Sequence, residues 1–137
     1  MDIAIQTVEN EKGRWNWVIT CRDASFSLVK SDSSLISFKD RADAEVDARQ
    51  HLEAQIGADG RPIRTKDQLQ NLIHQAADQC ADCADAVFGG VYWHARDEMG
   101  CNWSISTVRG GDWGACMECV NPAAIRLRQV YNIADER

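Results

Sequence analysis

Apolar and polar residues alternate through Ile3, Ile5 and Val8, break at the turn Glu9-Asn10-Glu11-Lys12-Gly13, and alternate again through Trp15, Trp17, Ile19 and Cys21. Side chains alternate across a strand, so this pattern predicts a β-hairpin with the two tryptophans, Ile19 and Cys21 on its core face. Phe26 and Leu28 predict a third strand and Leu35 to Phe38 a short fourth, with the polar cluster Lys30 to Ser34 between them. The period then changes. Asp40 is placed to cap a helix whose narrow apolar seam is Ala44, Ala48, Leu52 and Ile56, four residues apart. Gly57-Ala58-Asp59-Gly60-Arg61-Pro62 punctuates the chain and reads as a linker.

Thr65-Lys66-Asp67-Gln68 matches a capping box, so a second helix is expected to start at Lys66. At about 100° per residue, Leu69, Leu72, Ile73, Ala76, Cys80, Cys83 and Val87 share one arc, opposite Asp67, Asn71, Asp78, Asp82 and Asp85. This predicts one long helix ending at Gly89-Gly90, with thiols inward and carboxylates in solvent. Val91 to Arg96 and Cys101 to Val108 read as a hairpin turning at Asp97-Glu98-Met99-Gly100. Gly110 to Gly114 reads as a loop, and Asn121-Pro122 as the cap and first residue of a last helix carrying Ile125, Leu127, Val130 and Tyr131. The expected class is α+β: β-β-β-α over residues 1–56, then a helix, a β-hairpin and a helix over 65–137. Asn16-Trp17-Val18-Ile19-Thr20 echoes Asn102-Trp103-Ser104-Ile105-Ser106, the mark a diverged duplication would leave.

Gly13-Arg14-Trp15-Asn16-Trp17-Val18-Ile19, with Ser37-Phe38-Lys39-Asp40-Arg41-Ala42-Asp43-Ala44-Glu45 about twenty residues later, resembles the small YegP-like repeat domain of bacteria and their prophages. The likeness lies within residues 13–52. It implies a three-stranded antiparallel sheet with one helix across it, and brings no assigned activity and no catalytic residues. The chain departs from that pattern at Cys21-Arg22-Asp23-Ala24, where a glycine turn is usual.

Composition narrows the function classes. In 137 residues, fifteen lysines and arginines face twenty-one aspartates and glutamates, for a formal charge of -6, which disfavours direct binding to a phosphate backbone. No apolar run has the length of a membrane span, and the acidic, alternating start Met1-Asp2-Ile3-Ala4-Ile5-Gln6 is unlike a secretory signal. A cytoplasmic location is the expectation. Reducing conditions there favour thiols, metal ligands or redox pairs over structural disulfides for the six cysteines.

Cys80-Ala81-Asp82-Cys83 and Cys116-Met117-Glu118-Cys119 are the strongest chemical candidates, because two such pairs can build a tetrahedral four-thiolate zinc site. Placed on a helix's apolar face, Cys80 and Cys83 read first as small core side chains. Cys116 and Cys119, just before the expected helix start at Asn121, also admit redox chemistry. Tyr92, His94, Arg96, Asp97 and Glu98 form a polar cluster suited to a small ligand or to proton transfer. His51 and His74 stand away from the cysteines. No G-x-S-x-G, H-E-x-x-H, P-loop or dinucleotide fingerprint occurs, and a non-enzymatic reading is expected. Like charges at helical spacing oppose helix stability, so the Asp67, Asp78, Asp82, Asp85 stripe reads as a surface for a basic protein partner, with Trp113 exposed beside a glycine loop as a further contact.

Overall fold

The computed structural model describes residues 2–106 and 108–136. The chain is α+β, as the alternation of periods implies, and divides into two compact units, Met1–Glu53 and Ala54–Arg137.

In the first unit β1 (Asp2–Glu9), β2 (Trp15–Arg22) and β3 (Leu28–Ser33) form an antiparallel sheet in that order. The tight turn after β1 uses Gly13 at φ +74°, and Asn10 closes it by accepting from the amides of Lys12 and Arg14. The central strand β2 carries the core: Trp17 and Ile19 are buried together with Phe38, Ala44 and Ala48. Helix α1 (Arg41–Glu53) packs against β1 and β2. It touches the sheet through two alanines, which lets Asp47 reach the Trp17 indole and accept from its Nε1 at 2.8 Å in a buried hydrogen bond.

Five local expectations change here. Lys30 to Ser33 lie within β3 instead of between strands, giving the sheet a polar edge. Phe26, at φ +60° and exposed, belongs to the turn. Phe38 makes only an isolated bridge with Trp15. The apolar seam stops at Ala48: Leu52, in the last turn of α1, is exposed, and Ile56, also exposed, lies beyond the helix end at Glu53. Cys21 is half-buried at a register irregularity, not core.

In the second unit α2 (Lys66–Asp78) begins at the capping box: Thr65 Oγ1 accepts from Gln68 N at 3.0 Å, and Gln68 Oε1 accepts from Thr65 N at 3.2 Å. Leu69, Leu72, Ile73, Ala76 and Ala77 are its buried face. The helix then stops ten residues short of the expected end. Cys80 is extended (φ -104°, ψ 109°), Ala81–Cys83 form one 3-10 turn, and Val87–Phe88 form β4, which pairs with β7 (Val108–Arg109). β5 (Val91–Trp93) pairs with β6 (Trp103–Ile105) as the expected hairpin.

Helix α3 runs from Trp113 to Val130, capped by Asp112 instead of Asn121, so that Pro122 lies inside it. The residues expected to link the units, 57–62, are bound into the second. Ile63 bridges Asn132, and Arg64 is buried with its guanidinium 4.7 Å over the Tyr131 ring. The echoed segments share one role: Trp103, like Trp17, is fully buried, and it donates its indole hydrogen to Tyr131 O at 2.9 Å.

Candidate functional site

The cysteine pairs are brought together, in a way the sequence reading did not anticipate. Residues three apart on a helix lie on one face, so Cys116 and Cys119, which fall inside α3, both face the 80–83 segment. Cys80 is disulfide-bonded to Cys119 and Cys83 to Cys116, with Cα separations of 6.1 and 4.7 Å. The four-thiolate zinc site of Cys80, Cys83, Cys116 and Cys119 is thereby corrected, since a sulfur bonded to sulfur has no thiolate charge to give a metal. Among the described residues no group of three or more histidines, cysteines, aspartates and glutamates is arranged to hold a metal ion. Cys80 and Cys83 are buried, as their core reading expects, but as disulfides and not free thiols, and Cys116 and Cys119 lie inside α3 instead of before a helix start. The signal was present in the chain as two cysteine pairs of identical spacing.

The crosslinks explain why α2 ends early. Joining both cysteines to α3 draws the segment off the helix axis into an extended residue and a 3-10 turn. The close packing of the loops on either side requires glycine: at Gly110 (φ +81°) a Cβ would stand 2.7 Å from Asp85 O.

The acidic residues are therefore not one helical stripe. Asp67 sits in the first turn of α2, where it favours the helix dipole. Asp78 ends that helix, Asp82 lies in the 3-10 turn and Asp85 in the turn before β4, and all three are exposed. Trp113 opens α3 and is 59% exposed.

Between the end of α2 and β4 lies an open groove of about 510 Å³. Ala77, Ala81 and Ala84 line it with Val87 and Phe88, Asp78 stands at its edge, and the His74 ring lies 5.9 Å from that of Phe88. Sequence reasoning missed this feature, because on an unbroken helix Ala81 and Ala84 would lie among ordinary surface positions.

The polar cluster around His94 is dispersed. His94 is held by Ala95 O at 2.7 Å from Nδ1 and by Ser104 Oγ at 3.0 Å from Nε2, with Tyr92 in edge contact. Arg96 turns to Asp59 at 3.6 Å, beside a small cavity of about 210 Å³ lined in part by Trp93 and Asn132. Asp97 builds the hairpin turn: its Oδ1 accepts from Met99 N at 2.9 Å and Cys101 N at 3.0 Å, while Oδ2 takes Arg128 at 2.7 Å. Its carboxyl is held below the ordinary carboxylate range, chiefly by the Cys101 amide, with the Met99 amide, Arg128 and His94 adding to it against partial desolvation. Glu98 is exposed on the same turn. One carboxylate is spent on the turn and the arginine on another partner, so these five residues do not converge on one ligand. No helix is long and apolar enough to cross a membrane among the described residues.

Comparison of the chain with protein-family models, with curated proteins and with solved structures finds no match.

Proposed function

We propose that this chain is a small, non-enzymatic, acidic protein-interaction module of phage or prophage origin. It binds a basic surface on a host protein that processes nucleic acid or acts in defence. The observation that carries this reading is the placement of Asp78, Asp82 and Asp85, all exposed within eight residues on a segment clamped by two disulfides. From Asp67 to Ala95 the sequence contains no lysine or arginine. A fixed patch of one sign steers and selects an oppositely charged partner. The family resemblance of residues 13–52 fits a module without chemistry of its own.

The reading is tested by pull-down with wild-type protein and with Asp78, Asp82 and Asp85 changed together to Asn. Loss of a partner whose affinity also falls with added salt supports it; identical partners and affinities from both proteins remove it. A cytoplasmic site of action demands that the crosslinks persist among cytosolic reductants. Alkylating thiols at the moment of lysis decides this: two free cysteines per chain support an intact oxidised module, and six place its working form elsewhere.

A further inference from the structure

The groove beside the crosslinked segment differs from the flat acidic surface that the functional reading requires. Its lining includes the small side chains Ala77, Ala81 and Ala84 and the larger Val87 and Phe88, with Val87 68% exposed. An exposed valine beside a lining of alanines leaves apolar surface in water that a bulky side chain would cover. The groove is open to solvent and measures about 510 Å³. Both cysteines of the 80–83 segment are tied to α3, so the groove is formed before any partner arrives and little ordering cost falls on this side of an interface.

Asp78 lies on the groove's edge, and Asp82 and Asp85 flank Ala84 in sequence. A groove lined mainly by alanines, Val87 and Phe88, with Asp78 in its lining and Asp82 and Asp85 in the same segment, suits a partner with apolar anchors on one face and lysines or arginines on the other. We infer that the groove docks an amphipathic basic segment of the partner protein, whose apolar anchors enter between α2 and β4 while its cationic side chains meet Asp78, Asp82 and Asp85. This rests on the functional reading above and names the form of the partner.

The probe is a fluorescently labelled synthetic peptide of fourteen residues, with leucine and phenylalanine at helical i, i+3, i+4 and i+7 spacing and lysine elsewhere, titrated by anisotropy with the oxidised full-length protein. A second peptide keeps the lysines and replaces the apolar anchors by serine. Ala81→Leu with Ala84→Leu fills the groove at two exposed positions without altering charge, and Val87→Ala trims its lining. Expected are a tenfold or greater loss for the amphipathic peptide on filling, a smaller loss with Val87→Ala, and unchanged weak binding of the serine peptide throughout.

Equal affinity of filled and wild-type protein for the amphipathic peptide overturns the inference. If the Asp78, Asp82, Asp85→Asn protein then loses both peptides, the acidic-surface reading stands without the groove. If it loses neither, both fall. Self-association of wild-type protein in sedimentation, abolished by filling, would show the groove covered by a second copy and would also overturn the assignment.

Discussion

The two disulfides close nearly the same loop, and that redundancy sets a quantitative expectation. Cys80 and Cys119 are 39 residues apart, and by the chain-entropy relation closing such a loop restricts the unfolded chain by about 3.9 kcal/mol at 25 °C. Once it is closed, Cys83–Cys116 adds only a ring of about eight residues, worth about 2.5 kcal/mol. Removing either crosslink alone, as Cys80→Ala with Cys119→Ala or Cys83→Ala with Cys116→Ala, should therefore cost about 2.5 kcal/mol, since the other still closes the long loop. Removing all four sulfurs should cost about 6 kcal/mol, more than the two pairs taken separately.

Cys83 and Cys116 are both buried, so that pair should show the larger single cost through lost packing. The assay is hydrogen exchange of the best-protected α2 and α3 amides without reductant, which reports opening of the second unit alone. Costs near 4 kcal/mol for each pair, adding to about 8, would refute the shared-loop reasoning. A thiol count of six in the purified oxidised protein would refute the pairing itself.

The depressed carboxyl of Asp97 is ionised in the fold at a pH where the unfolded chain has begun to bind a proton. Its contribution is fully present above the unfolded value of about 4 and fades as pH falls through the lower folded value, so Asp97→Asn should flatten the acid limb of a stability-pH profile. A limb unchanged in slope would contradict this. In the first unit, Asp47→Ala leaves the buried Trp17 indole hydrogen without its acceptor and should cost about 1–3 kcal/mol by urea denaturation, with Asp47→Asn costing less. Gly110→Ala forces a side chain toward Asp85 O at positive φ and should destabilise by more than about 1 kcal/mol. Gly114→Ala, helical and facing open space, should gain about 0.5–1 kcal/mol, and the two thermal midpoints should move in opposite directions.

What the sequence determined by itself was local. Alternation placed β1 and β2, because a strand with one buried face must repeat every two residues, and Trp17 and Ile19 are buried as that period requires. The capping box located the start of α2 to the residue, since its two reciprocal hydrogen bonds need only the four residues that carry them. Helical periodicity also marked the buried face of α2, and turn chemistry marked the hairpin at Asp97 to Gly100.

The end of α2 was a different kind of fact. Cys80, Cys83 and Val87 continue the helical period, and nothing within the segment forbids a helix through Val87. Two covalent links to residues more than thirty positions away outweigh the few tenths of a kcal/mol per residue that helix propensity supplies, and they pull the chain into an extended residue and a 3-10 turn. The same links take Asp82 and Asp85 out of the helical stripe and leave a groove between α2 and β4, and contacts equally distant along the chain give Arg96 and Asp97 separate partners in Asp59 and Arg128. Periodicity reports which face of an element is apolar. Only the tertiary structure says what that face meets, because the partner's energy resides in residues distant along the chain.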